Sequence, residues 1–214
     1  MIEIDNTEVV GIDHAIRGMR NPMNSWDKSD SEWVSANFCD AEFVLGDNDL
    51  DLALKLNKGG SVHAKYRRFI ICYADINAPL YWWKEFDTYR MGVEKNSCST
   101  MHKIHSKEFT LEDFSTDHLS DLSKDIGTLA TNQLQMTINH MNKCRELFLK
   151  TKDKAYWWQM IQLLPTSYNQ KRTVMMSYEA LANMYEYRKD HKLDEWRKFC
   201  NWVESLPYSD LIIS

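Results

Sequence analysis

Glycine and proline are scarce in this sequence, at seven and four of 214 residues. No Pro/Gly/Ser-rich run, repeat or low-complexity tract divides the chain, so 1–214 reads as a single domain. Long apolar runs are missing too. None approaches the roughly 20 residues a membrane helix requires, and the opening MIEIDNTEVV is acidic, unlike a signal peptide. A soluble, cytoplasmic protein without a membrane partner is the expectation. Nor is positive charge in excess. Twenty-six basic against thirty-one acidic residues leave a net charge of -5, which argues against a broad grip on a nucleic acid polymer and still allows a local basic pocket. The five cysteines, at 39, 72, 98, 144 and 200, contain no CxxC pair and form an odd set, so reduced thiols fit better than disulfides. His102 and His105 make an HxxH pair with no third ligand nearby, so no metal site is expected.

What is present is a core. Hydrophobic content of 43% with eight tryptophans is globular, and the length suits one sizeable core or two small ones. Spacing predicts a short edge strand at 1–4 and a helix over 9–19, stopped by Asn21-Pro22. The 24–46 segment has no clean period and reads as loop, with a short helix around 31–38. Helix 47–58 carries Leu50, Leu54 and Asn57 on one face, with Asp47 or Asn48 to cap it and Gly59-Gly60 to end it. YRRFIICYADI, 66–76, is rich in β-branched and aromatic residues and reads as a strand. A capped turn at 110–113, a long helix over 125–150 with Gly127 weakening only its first turn, and a helix over 154–164 stopped by Pro165 follow. A short strand at 172–176 and closing helices at 178–189 and 192–206 complete a helix-dominated α+β chain.

The 78–103 stretch, APLYWWKEFDTYRMGVEKNSCSTMHK, organises the rest. Ala78, Trp82, Phe86 and Tyr89 recur at helical spacing, with Pro79 in the first turn, and a helix is predicted over 78–90. Gly92 ends it. Asn96, Ser97, Cys98, Ser99 and Thr100 then offer small donors close to the charge of Arg90, a combination suited to an anionic ligand. The same pattern also suits ordinary core followed by an ordinary loop.

Placed in order, these pieces resemble the flavin-dependent thymidylate synthases over about 63–194. The first block runs from His63 through strand 66–76 to the Ala78-Pro79 helix. It ends where the family carries R-H-R-x-x-S-x-N-E-x-S-x-R-Y and this chain reads Thr88-Tyr89-Arg90, then Met91 to Met101. Of the triplet only the third arginine remains, as Arg90. Without a gap, the later E, S and R positions fall on Asn96, Cys98 and Thr100; a slip of one residue puts Ser97 or Ser99 at the serine. A glutamine on the preceding helix falls on Glu85. The second block, Leu163-Leu164-Pro165, a strand and SYEALANMYEYR, is similar to the family's L-P followed by N-x-R-S-L-x-x-x-x-x-x-R. Leu164, Pro165, Leu181, Asn183 and Arg188 match, Ser177 and Glu179 replace the N and first R, and a phosphate-gripping arginine falls on Ile161.

The resemblance implies a central, mostly antiparallel sheet flanked by helices and a homotetramer with sites at subunit junctions. It implies FAD as cofactor, NADPH and methylenetetrahydrofolate as co-substrates, and reductive methylation of a pyrimidine deoxynucleotide such as dUMP without an enzymic cysteine nucleophile. Arg188 then meets the uracil ring, where a permanent guanidinium charge stabilises an enolate-like anion. Tyr89 and Arg90 meet flavin or nucleotide phosphate, His63 borders the flavin, and Asn183 hydrogen-bonds it. Glu85, Cys98 and Ser99 face the substrate beside Arg188. Each has a plainer reading. Arg188 neighbours Lys189 and Asp190 as a solvated helix end would, Arg90 has Glu85, Asp87 and Glu94 for ion pairing, His63 suits a surface cap, and Cys98 suits packing. Two functions follow: an active one-carbon transferase (methylation or hydroxymethylation), or a non-catalytic relative that keeps the fold as a nucleotide-binding or interaction module. Chance similarity in an unrelated helical protein is the third reading.

Overall fold

Cys72, Ala74, Ile76 and Ala78 are buried while Tyr73 between them is exposed, and that period of two makes a strand of the segment. The computed structural model describes residues 2–37 and 40–214. In chain order the elements are β1 (Glu3–Val10), α1 (Ile12–Met19), β2 (Glu32–Asn37), β3 (Asp40–Val44), α2 (Asp47–Lys58), β4 (Ile71–Pro79), α3 (Leu80–Phe86) and β5 (Val93–Ser97). Then come α4 (Thr100–Lys103), α5 (Ser123–Ile126), α6 (Ala130–Thr151), α7 (Lys154–Leu163), β6 (Asn169–Ser177), α8 (Tyr178–Arg188), α9 (Asp194–Glu204) and α10 (Asp210–Ile213). The four-stranded sheet has the order β1-β4-β6-β5, and β2 and β3 form a separate antiparallel hairpin. The expected architecture, helix-rich α+β around a mostly antiparallel sheet, is the one observed. Among the described residues no helix is long and apolar enough to cross a membrane.

The chain packs as two compact units. The first comprises Met1–Glu3, Ile76–Thr88 and Asn96–Arg172. Trp82, Trp83 and Phe86 of α3 are fully buried there, with ring centroids 4.9 to 5.2 Å apart. Trp83 Nε1 donates to Gln170 O at 2.8 Å, and the Arg172 guanidinium lies 4.2 Å over the Trp83 ring while pairing with Asp87. A second apolar cluster joins Ile104, Phe109 and Phe114 to Ile138 and Met141 of α6 and Met160 of α7. The Asn142 carboxamide both accepts from Phe109 N–H and donates to Phe109 O, which pins the preceding loop to α6.

The second unit comprises Ile4–Asp75, Tyr89–Lys95 and Thr173–Ser214. Its helices α1, α2 and α8 pack on a 3-10 turn at Ala64–Arg68, α9 packs on α8, and α10 packs on α2, α8 and α9. Asp49 of α2 is fully buried and accepts from Arg20 Nε at 2.5 Å and from the Ser29 and Ser31 hydroxyls at 2.6 Å each. Asp30 in turn accepts from the Asn48 and Asp49 N–H groups, so the cap of α2 comes from a loop well upstream rather than from Asp47 or Asn48.

Several expectations are corrected. Residues 32–37 are not helical: Glu32–Asn37 pairs with Asp40–Val44, and the ring contact of Trp33 with its cross-strand partner Phe43 holds the hairpin. Phe38 and Cys39 lie outside the described residues, as does Met1 of the predicted 1–4 strand, which runs on to Val10 and delays α1 to Ile12. Residues 64–68 form the 3-10 turn, and the strand predicted over 66–76 instead occupies Ile71–Pro79. The 78–90 helix is therefore shortened to Leu80–Phe86, because Pro79 is extended (φ −69°, ψ 150°) and ends the strand. Gly127, at φ +76°, separates α5 from α6 instead of merely weakening one long helix. Cys72, Cys98, Cys144 and Cys200 are free thiols.

Burial alone would raise the Asp49 pKa, but the Ser29, Ser31 and Arg20 hydrogen bonds and the Arg20 charge outweigh it and hold the carboxyl below its ordinary value. The associated stability is present above about pH 4, the ordinary carboxylate range, and is lost as pH falls through the lowered folded value. Asp49→Asn should destabilise the protein by about 3–5 kcal/mol at neutral pH, since it leaves Arg20 buried and uncompensated. Below pH 4 the difference between variant and wild type should shrink, as read by urea unfolding across pH.

Candidate functional site

The β6–α8 junction sets the site in the second unit. Ser177 ends the strand and caps the helix, its hydroxyl accepting from Ala180 N–H at 3.2 Å and its own N–H donating to Gly92 O at 2.8 Å. Gly92 sits at φ +69°, and a Cβ there would stand 2.4 Å from the Ser177 hydroxyl. Glycine is required at this contact for both reasons. The close approach fixes the 89–92 segment relative to α8, which carries Glu179 and Asn183 one turn apart and Arg188 in its last turn.

Arg188 and Tyr89, two of the sequence-predicted site residues, are brought together. Arg188 Nε donates to Tyr89 Oη at 2.8 Å, and the guanidinium lies 4.6 Å from the buried Trp196 ring and 5.5 Å from the Tyr89 ring. Tyr89 and Trp196 meet edge to face at 5.9 Å. A cation held this way keeps its planar orientation at little further entropic cost when a ligand arrives. Arg90, next to Tyr89, is exposed.

Asn183 lies in a cleft of about 350 Å³ lined also by Ser61, Arg67, Met91, Glu179 and the alanines at 180 and 182. Glu179 is engaged by Arg68 through two bonds of 2.5 and 2.9 Å. Arg67 is different. Its Nε is buried without a hydrogen-bond partner, and burial pulls its pKa down against the opposing effects of Tyr66 and Glu179. The group remains cationic at neutral pH. Nothing in the spacing of YRRF marks Arg67 as the arginine that turns into a cleft; the 3-10 geometry decides it. His63 is exposed and packs its ring against Gly59 at the end of α2, where a Cβ would meet it at 3.0 Å.

The remaining predicted residues belong to the first unit. Glu85 is half-buried on α3, where its carbonyl accepts from the Thr88 hydroxyl. Cys98 and Ser99 line a cavity of about 440 Å³ together with Thr100, Lys103, Lys107, Tyr168 and Lys171, among others. Ile161, where the resemblance puts a phosphate-gripping arginine, packs on the apolar cluster of α6 and α7. Among the described residues no group of three or more His, Cys, Asp or Glu side chains is placed to hold a metal ion.

No family model matches the chain, and no curated protein matches it in sequence. Solved structures do match in fold. The flavin-dependent thymidylate synthase ThyX of Helicobacter pylori, complexed with FAD and dUMP, superposes with a TM-score of 0.68 at 15% identity over 99% of this chain and 98% of that one. A second structure of the same enzyme with FAD and dUMP gives 0.68 and 15% with full coverage of both chains. The chain therefore has the flavin-dependent thymidylate synthase fold along its whole length.

A buried, unbonded Nε costs about 1–3 kcal/mol, so that atom does not favour folding. Arg67→Met, which keeps the aliphatic stem, should leave the unfolding free energy within about 1 kcal/mol of wild type or raise it. A loss above about 2 kcal/mol in urea unfolding would assign Arg67 a structural role instead.

Proposed function

We propose that this chain is a divergent flavin-dependent thymidylate synthase that transfers a one-carbon unit to a pyrimidine deoxynucleotide such as dUMP. One observation carries the reading: on a fold shared end to end with an FAD- and dUMP-complexed enzyme, Arg188 is held in a fixed plane by Tyr89 and Trp196. The residues present fit a flavin. Arg67 supplies a cation with an unused N–H, Asn183 an amide edge and Ser61 a hydroxyl, all around one cleft. When bound, FAD supplies the redox and carbon-relay chemistry, with NADPH and methylenetetrahydrofolate as co-substrates.

The protein's own residues bind, orient and stabilise. Arg67 offsets phosphate charge, and Asn183 can donate and accept along a ring edge. Arg188 stabilises negative charge developing on the pyrimidine, an effect strengthened by its prior orientation on Trp196. Tyr89 orients Arg188, Arg90 and His63 complete the cofactor side, and Glu85, Cys98 and Ser99 serve the nucleotide. A single-domain, cytoplasmic homotetramer with sites shared among copies belongs to the same proposal. The competing reading, a nucleotide-binding relative without chemistry, draws on one fact: Arg188 Nε is already engaged by Tyr89.

Purified protein should be yellow, and titration with dUMP or dCMP should change its flavin absorbance saturably. Arg188→Ala should retain flavin but slow nucleotide-dependent NADPH oxidation by about 10²–10³-fold. Colourless protein that ignores added FAD sinks the enzymatic account, and flavin binding with no nucleotide-dependent turnover selects the silent relative.

A further inference from the structure

A second cleft in the second unit, of about 270 Å³, lies against α1 and the β2–β3 hairpin and shares no lining residue with the cleft of Asn183. Trp26, Trp33 and Phe43 form its apolar side, with Asp13 and Arg17 of α1 beside them. The two tryptophans keep 49% and 56% of their surface exposed. A single exposed ring needs no explanation, but three aromatic residues gathered around one concavity leave apolar surface for a ligand to cover.

These walls are already held. Trp26 Nε1 donates to Asn21 Oδ1 at 2.8 Å, and Trp33 meets Phe43 edge to face at 5.4 Å. Phe43 O accepts from the Tyr208 hydroxyl at 3.0 Å, and Leu45 N–H donates to the same hydroxyl oxygen at 3.0 Å, which ties β3 to the C-terminal segment. Rings fixed in advance lose little further entropy when a ligand arrives.

The polar groups of the cleft divide into spent and unspent ones. Arg20, Ser29 and Ser31 also line it, but Arg20 Nε and both hydroxyls donate to Asp49. Asp13 and Arg17 stand one turn apart on α1, a spacing that lets acid and base pair with each other. Each turns instead to His14, Arg17 at 3.3 Å from Nδ1 and Asp13 at 3.7 Å. Arg17 is exposed and the Asp13 side chain keeps 28% of its surface, so both retain hydrogen-bonding capacity. Their charges cancel, which disfavours a simple anion or a simple cation. A ligand with both signs close together and a ring beyond them answers all three features. A free α-amino acid carries ammonium and carboxylate on one carbon, whereas a peptide terminus keeps only one of the two. A space just under the usual lower bound of about 300 Å³ for small-molecule sites suits a ligand of one ring.

We propose that this cleft binds a free amino acid with an aromatic side chain. The Arg17 fork takes its carboxylate, Asp13 takes its ammonium, and its ring enters among Trp26, Trp33 and Phe43.

Isothermal titration of the full-length protein with L-phenylalanine should show saturable binding. Glycine, the same zwitterion without the ring, should give none. Hydrocinnamate lacks the ammonium and phenethylamine lacks the carboxylate, and each should bind more weakly than phenylalanine. Arg17→Gln should weaken phenylalanine and hydrocinnamate by about tenfold or more and leave phenethylamine undiminished. Asp13→Asn should weaken phenylalanine and phenethylamine and leave hydrocinnamate undiminished. No saturable binding of phenylalanine at millimolar concentration, glycine binding as tightly as phenylalanine, or an affinity unchanged in both variants overturns the proposal. The site does not depend on the flavin reading: phenylalanine binding with this variant pattern in a colourless protein sinks the enzymatic account alone.

Discussion

Two backbone contacts and a hydroxyl at the end of β6 decide how the 89–92 segment meets α8 in the second unit. Ser177 N–H reaches Gly92 O, Tyr178 N–H reaches Ile70 O, and the Ser177 hydroxyl caps α8 through Ala180. Ser177, Tyr178 and Ile70 are buried, and an unmade buried bond is expensive, so the junction has little freedom. Gly92 must take a positive φ with no room for a Cβ. From this one crossing Tyr89 is delivered to Arg188, and Met91 to the cleft of Arg67 and Asn183. Ser177 stands where the resemblance puts an asparagine, yet it keeps a structural duty at the helix start.

The arginines of this unit divide into two uses. Arg20 is buried against Asp49 inside a network that also takes Ser29 and Ser31, a closed set with a folding role. Arg68 closes on Glu179 in a bidentate pair, and both partners retain solvent exposure, so the pair contributes little to stability. Arg67 and Arg188 are of the other kind. One keeps a buried Nε without a bond, and the other is stacked on an aromatic face. Stacking on Trp196 and the bond to Tyr89 stabilise Arg188 where it stands, whereas the unbonded Nε of Arg67 gains nothing from burial.

Sequence reasoning located α2 and α7 closely because each has a clear stop, Gly59-Gly60 and Pro165, and it also bounded α8 closely. It failed where a single residue serves two elements. Pro79 fits a first helical turn and equally the end of a strand, and the hydrogen bonds of Leu80 and Tyr81 to Tyr168 and Thr166 settled the matter. Gly127 is tolerable inside a helix, but at φ +76° it closes one. The β2–β3 hairpin was invisible because Trp33 and Phe43 find each other only across the turn. For the candidate site, Arg188, Tyr89 and Asn183 were legible through motif position. Arg67 and Trp196 were not: the 3-10 turn decides that Arg67 lines the cleft, and Trp196 meets Arg188 only because the chain turns back between α8 and α9.

Composition and periodicity by themselves determined a helix-rich α+β chain with a tryptophan-heavy interior, and the surviving motif positions determined which fold to expect. Those properties depend on local pattern, which a linear sequence records. Tertiary structure alone decided which of two adjacent arginines, Arg67 or Arg68, pairs with Glu179 and which is left without a bond, and which aromatic rings hold Arg188. Such choices turn on distances of a few ångströms between separate elements, as between Arg68 and Glu179 or Tyr89 and Arg188, and hydrogen bonding and desolvation are steep functions of those distances.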